Sequence, residues 1–210
     1  LQMCLRDRIY TFIVEKIIFF AGILWVPAFK YNKEINDIFD KYSQPVFSFG
    51  LNLGEYYDDF VYDIYQNEDT AKWKIDKKVE HMRSSPNKDV KVVFFDIDTS
   101  KTYFHEKKGY SVFSNVEHMK EEVRSIYKDK IDDYFFDIIF HLTDNHKELD
   151  YTAEVLKDYI EKVEKRDGLD NSLSTSMVNF YKTLDVPKLP ARFSERDERL
   201  NEFSDLEPEM

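Results

Sequence analysis

Three long apolar runs limit what this chain can fold into more than any other feature. Residues 90–97 (VKVVFFDI) and 134–142 (YFFDIIFHL) are almost continuously apolar, and residues 17–26 form a third run that ends at Pro27. Runs of this length, rich in β-branched and aromatic residues, are typical of strands buried on both faces. A strand is buried on both faces only when layers cover both sides of its sheet. The pattern therefore predicts a three-layer protein.

Segments with apolar residues at helical spacing separate these runs. Such segments follow residue 32, span 55–66 and 70–83, and begin again at Ser114 and Asn145. The last two residues each stand three positions before a Glu, as in a capping box. Strands that alternate with helices favour a parallel sheet. We expect an α/β fold with a mostly parallel sheet of about four strands and helices on both faces, in a Rossmann-like three-layer arrangement.

We expect a single domain over residues 17–166. Within it, residues 99–113 are polar and predict a loop or a short hairpin. From residue 167 the apolar residues become isolated, which predicts a mobile, disordered tail over 167–210 or a segment that binds a protein partner. Residues 1–16 are an N-terminal segment that precedes the predicted domain. Residues 3–8 resemble translated sequencing-adapter sequence, in which case the first residues would be non-native and the chain a fragment.

The chain is strongly acidic, with 41 Asp and Glu against 30 Lys and Arg. Binding to a nucleic-acid backbone needs a basic face, so nucleic acid is not an expected partner. Cys4 is the single cysteine and forms no intrachain disulfide, which fits a reducing, cytoplasmic location. The uninterrupted run 17–26 is shorter than the roughly 20 residues of a membrane-spanning helix, so membrane association is not expected either.

Polar residues follow the two strongest predicted strands. Asp96 and Asp98 end the first, and His141, Asp144 and Asn145 end the second. In a parallel sheet, the carboxyl ends of the strands meet at one edge, where ligands bind. The sequence therefore predicts one site at that edge, built from both strand ends.

Asp96 and Asp98 are two residues apart, so on an extended segment their carboxylates point the same way. This suits a Mg²⁺ or Mn²⁺ ion that bridges to a phosphate. The tetrad from Asp96 to Thr99 resembles the first motif of haloacid-dehalogenase-like phosphatases, which implies Asp96 as nucleophile and Asp98 as general acid/base. In that family a Gly usually stands where this chain has Thr99. The pair also resembles the Asp-x-Asp metal motif of nucleotide-sugar glycosyltransferases. The alternative is that both residues simply form a turn.

The second strand end offers different chemistry. His141 is a candidate general base or metal ligand, and Asp144 a candidate proton carrier. Asn145, as the N-cap of a helix, could leave backbone amides facing an anion. The alternative is that Asn145 caps, Asp144 complements the helix dipole and His141 packs in the core.

These observations predict a metal-dependent enzyme that transfers a phosphoryl or glycosyl group. Asp96, Asp98, His141 and Asp144 would be catalytic, and Asn145 would help to bind an anion. The expected ligand is a small phosphate-bearing molecule or a nucleotide sugar, and the reaction that of a transferase or a phosphatase-like hydrolase. The alternative is a non-catalytic protein-interaction or regulatory domain.

Overall fold

A computed structural model describes residues 18–184, apart from 44, 69, 84, 107, 132, 133 and 135–137. The expectations for 1–16 and for 185–210 lie outside the described residues. The strands are β1 (Ile18–Leu24), β2 (Pro45–Asn52), β3 (Asp89–Ile97), β4 (Thr102–His105), β5 (Tyr110–Phe113) and β6 (Phe140–Leu142). The helices are α1 (Asn32–Tyr42), α2 (Tyr57–Tyr65), α3 (Lys72–Arg83), α4 (Ser114–Lys128), α5 (His146–Asp167) and α6 (Ser172–Thr183).

The main sheet has the strand order β2-β3-β1-β6, and every neighbouring pair is antiparallel. A separate antiparallel hairpin joins β4 and β5. The α/β class is therefore confirmed, but the expectation of a mostly parallel, Rossmann-like sheet is wrong.

The connections explain this topology. A single α-helix lies between β1 and β2, and another between β3 and β6, and each returns the chain so that both strands of the pair run the same way. Two helices, α2 and α3, lie between β2 and β3 and reverse the direction. Strands of equal direction are never adjacent, since β3 lies between β1 and β2, and β1 between β3 and β6. The apolar runs indicate only that the strands are buried on both faces. An antiparallel sheet between two helical layers buries its strands in the same way, so the runs do not reveal strand direction.

Each face of the sheet has its own core. Helices α2, α3, α5 and α6 pack over the side chains of Val92 and Phe94 on one face, and α1 and α4 pack over Val93 and Phe95 on the other. Gly22 of β1 lets two large rings approach the sheet. A Cβ atom there would lie 2.8 Å from a ring carbon of Phe140 and 2.9 Å from one of Phe95.

Helix α6 lies within the segment expected to be a tail. Its Phe180 ring stacks on Phe47 of β2 at 4.7 Å between centroids, and its Tyr181 hydroxyl donates a hydrogen bond to Asp150 of α5. Leu184, just after the helix, is buried. No helix in the part of the chain that the structure covers is long and apolar enough to cross a membrane.

Candidate functional site

The end of β3 is an exposed turn. The Asp98 carboxylate accepts hydrogen bonds from the backbone N–H and the hydroxyl of Ser100, at 2.8 and 3.0 Å. These bonds lower the pKa of Asp98. Asp96 is exposed as well. Within the described ranges, no group of three His, Cys, Asp or Glu residues is arranged to hold a metal ion. The geometry at this end resembles the turn-forming alternative.

At the end of β6 lies a ring of four alternating charges, two of them buried and two half-buried, which we call the charge ring. It consists of Lys108 from the hairpin, Glu117 and Lys120 from α4, and Asp144. The Lys108 Nζ atom lies 2.7 Å from Glu117 Oε1 and 2.7 Å from Asp144 Oδ2. The Lys120 Nζ atom donates to Asp144 Oδ1 and lies 3.5 Å from Glu117 Oε1. Each ammonium therefore bridges the same two carboxylates.

Local backbone structure positions these side chains. Lys108 lies in the turn of the hairpin, where Gly109 adopts a left-handed φ of 73° and the N–H groups of both residues donate to the carbonyl of His105. The expected capping box at Ser114 is wrong, because α4 begins at Ser114 with no side-chain cap. Its Glu117 instead turns inward to the lysines, one helical turn from Lys120.

Burial sets the protonation of the ring. Only 5% of the Lys120 and Glu117 side chains is exposed, against 15% for Asp144 and 26% for Lys108, so solvent reaches the ring past Lys108. Burial lowers the pKa of Lys120 to about 8 against the opposing charge of Glu117, and the positive charges of Lys108 and Arg124 act in the same direction as burial. Burial alone would raise the pKa of Glu117, but Lys120 and Lys108 hold it below its usual value.

The predicted cap at Asn145 is confirmed. Its side chain accepts the Glu148 N–H at 3.1 Å and donates to the Glu148 carboxylate at 2.9 Å. The same carboxylate accepts the N–H of Asp144 at 2.6 Å. Two amides at the start of α5 are thus bonded within the chain, which removes them from the donors that an anion could use. Burial raises the pKa of Glu148, against the opposing effect of Lys120 and Lys108.

A second group, the inner cluster, is formed by the buried residues Tyr65, Lys78 and His141 together with the half-buried Glu68. The His141 ring packs edge-on against Tyr65 at 5.2 Å, and its Nδ1 atom lies 3.4 Å from Glu68 Oε1. Lys78 is fully buried, and its ammonium donates to the Tyr65 hydroxyl. Burial lowers the pKa of His141 well below its usual value, and Lys78 and Lys120 add to this, so the imidazole is neutral at pH 7.

The two strand ends point the same way but do not meet. Leu142 of β6 is level with Gly22 and Val93, whereas β3 continues to Ile97. At about 3.4 Å per residue, these four further residues carry β3 on the order of 13 Å past the end of β6. Across the described residues, no hydrogen bond or ion pair joins Asp96 or Asp98 to Asp144. His141 and Asp144 do share one end, in the inner cluster and the charge ring respectively.

Sequence reasoning missed Lys78, Lys108, Glu117 and Lys120. One signal was present for Lys120, since it follows Val116 by four residues and precedes Val123 by three, on the buried face of α4. A lysine at such a position is either paired or functional. Lys108 carried no comparable signal, because a hairpin turn commonly holds exposed lysines.

The charge ring and the inner cluster dominate the polar interior. Eight polar side chains are buried in the described structure, and five of them surround the end of β6. These five are Lys78, Glu117, Lys120, His141 and Thr143. No protein-family model matches this chain, and no curated protein matches it. Any functional assignment therefore depends on the chemistry of this site.

Proposed function

We propose that this chain is an enzyme in which the Lys120 amine reacts with a small carbonyl compound at the end of β6. The observation that supports this most is the position of Lys120, buried between two carboxylates and beside a second lysine. Buried ion pairs contribute little net stability, so a ring of four charges has a weak purely structural rationale. Strongly perturbed ionisable groups are concentrated at functional sites.

The chemistry follows from the proton affinity of the amine. Because burial lowers the pKa of Lys120 to about 8, its amine loses its proton more readily near neutral pH than the amine of an ordinary lysine. The nitrogen lone pair adds to the carbonyl carbon, and the resulting carbinolamine loses its oxygen as water to give an imine. Asp144 and Glu117 are placed to take up and return the protons. Lys108, at the exposed side, would hold a carboxylate of the substrate, which points to 2-oxo acids.

Reductive trapping tests this proposal. The full chain is incubated with pyruvate, treated with borohydride and analysed by intact mass and peptide mapping. We expect one adduct at Lys120, with a yield that rises between pH 6 and pH 9, and no adduct at that position in Lys120→Met. Lys157→Met, which removes an exposed lysine, is the matched control. Hydroxyacetone, which lacks the carboxylate, should label less than pyruvate. Labelling spread over exposed lysines with Lys120 unmodified would refute the proposal.

The phosphoryl- or glycosyl-transfer interpretation remains an untested prediction, as do the Mg²⁺ or Mn²⁺ cofactor and the cytoplasmic location. It shares Asp144 with the present proposal but also requires Asp96 and Asp98. Their exposed turn gives it less support than the buried end of β6 gives to Lys120.

One observation favours a protein-interaction role as a second candidate. The hairpin presents the aromatic residues Tyr103, Phe104 and Tyr110 to solvent, and 61% of Phe104 is exposed. Light scattering at increasing protein concentration would test whether copies of the chain associate through this surface. Phe104→Ser should then abolish association without changing the melting temperature. A chain that stays monomeric at all concentrations would remove self-association from consideration.

A further inference from the structure

A groove lies on the opposite edge of the sheet from the charge ring. It has a volume of about 660 Å³ and runs between β2, the start of β3 and the beginning of α1. Its lining includes Phe29, Asn32, Gly50, Asp89 and Lys91. Because β3 begins at Asp89, the groove is at the amino end of this strand, whereas the charge ring lies beyond the carboxyl end of β6. A ligand in the groove would not contact Lys120.

Lys91 is the cation of this groove. It alternates along β3 with residues of the opposite face, so its side chain is on the α1 side, next to the core that holds Val93. Its ammonium donates to the Oδ1 atoms of Asn32 and Asn36 at 3.1 and 3.4 Å. Both partners are neutral. The ion pairs of the described residues include none at Lys91, so this half-buried positive charge lacks a carboxylate that would compensate it.

The groups around Lys91 define what could compensate it. The amide oxygens of Asn32 and Asn36 accept from Lys91, and Asn32, which lines the groove, has an Nδ2 group that can donate to an oxyanion. Gly50 leaves the floor of the groove open, since the nearest atom to a Cβ there would be 4.0 Å away. Phe29 adds an aromatic side chain to the lining. The Asp89 carboxylate is held by Asn52, at 2.5 Å from its Nδ2 atom.

We propose that this groove binds a small organic anion, an aromatic carboxylate, with its carboxylate on Lys91 and its ring over Gly50 beside Phe29. The charge of Lys91, the amide donors and the open apolar floor match the two parts of such a molecule. Burial lowers the pKa of Lys91, which is the expected response of a cation that lacks a counter-ion. A bound carboxylate would supply that counter-ion.

An NMR titration of the ¹⁵N-labelled full chain with benzoate tests the proposal. We expect shifts at the amides of Gly50 and Lys91, and a Kd at least tenfold weaker in Lys91→Met. Lys91→Arg should retain most of the affinity. Lys33→Met removes an exposed lysine of α1 and should bind like the wild type. Thermal melts of each variant confirm that it is folded.

Two further ligands separate the parts of the claim. Benzyl alcohol, which lacks the charge, should bind at least tenfold more weakly than benzoate. Inorganic phosphate, which lacks the ring, should also bind at least tenfold more weakly than benzoate. Phosphate binding as tight as that of benzoate would overturn the claim that the ligand is aromatic. No benzoate binding, equal binding in Lys91→Met, or shifts centred on Lys120 would overturn the proposal as a whole. Lys120→Met should bind benzoate like the wild type, so this site and the imine-forming site can fail separately.

Discussion

The ends of β3 and β6 look alike in sequence but differ in chemistry. Each ends in acidic residues after a buried apolar strand. At the end of β3, Asp98 is exposed and its carboxylate is satisfied by the adjacent Ser100. At the end of β6, Asp144 binds two lysines that come from a hairpin and from α4. A carboxylate at the end of a strand can stabilise a local turn or form part of a site. Which of the two it does depends on whether side chains from other elements contact it.

The largest effect should come from breaking the charge ring. Lys120→Met leaves Lys108 as the remaining lysine of the ring for both Glu117 and Asp144. Removing one partner of a buried pair typically costs about 3–5 kcal/mol. Urea unfolding should show this loss of free energy. Lys157→Met, whose pair with Glu161 is exposed, should lose less than about 1 kcal/mol.

A second change to the ring distinguishes lost charge balance from lost packing. Adding Glu117→Gln to Lys120→Met removes one of the two carboxylates that then share Lys108, and should recover part of the stability. If Lys120→Met proves as stable as Lys157→Met, the end of β6 is no more constrained than a surface pair, and the contrast between the two strand ends disappears.

The packing beneath β6 gives the next largest effect. Gly22→Ala places a methyl group 2.8 Å from Phe140, the first residue of β6, and overpacking of this kind costs about 1–3 kcal/mol. Gly50→Ala is a matched strand position with open space, and its stability should stay within about 0.5 kcal/mol of the wild type. Calorimetric melting of both variants measures the difference. Equal melting temperatures would show that Phe140 can move aside, and that β6 is less rigidly seated than its contacts indicate.

The inner cluster should make stability depend on pH. The folded-state pKa of His141 lies well below the value of about 6.5 expected in the unfolded chain, so the unfolded state binds more protons below that pH. The free energy of unfolding that depends on a neutral His141 is fully present above about pH 6.5. It is lost as pH falls, by at most about 1.4 kcal/mol per pH unit. His141→Leu should flatten the stability profile between pH 6.5 and 5. His118→Leu, at an exposed position of α4, should keep the wild-type slope, and a slope unchanged in His141→Leu would contradict the prediction.

Sequence patterns predicted the layers and most of the helices because these depend on local periodicity. Asn145 begins α5 as expected, and Gly168 ends it in the left-handed conformation with φ of 65°. Strand direction could not be obtained in the same way. Strand direction depends on whether one or two helices connect successive strands. Whether neighbouring strands are antiparallel also depends on the order of the strands in the sheet, and tertiary packing decides both.

The site was only partly predictable for a related reason. His141, Asp144 and Asn145 are close in sequence, so they can be recognised as one strand end. The structure places them there, in the inner cluster, in the charge ring and at the N-cap of α5 respectively. Lys108 and Lys120 reach the same place from the hairpin and from α4, which no local pattern places there. The charges that give Asp144 its chemistry are therefore long-range partners.

The smallest expected effect concerns the end of β3 and tests the comparison from its other side. Asp98→Asn keeps an oxygen that can accept from Ser100, so its melting temperature should stay close to that of the wild type. Its imine trapping with pyruvate should equal that of the wild type. If β3 instead holds a divalent metal, millimolar Mg²⁺ or Mn²⁺ would raise the melting temperature of the wild type by mass action, and Asp98→Asn would abolish that rise. A turn whose carboxylate only accepts hydrogen bonds from Ser100 should show no change in melting temperature with a divalent cation. A rise would therefore place metal chemistry at the exposed end of β3 and reverse the roles assigned to the two strands.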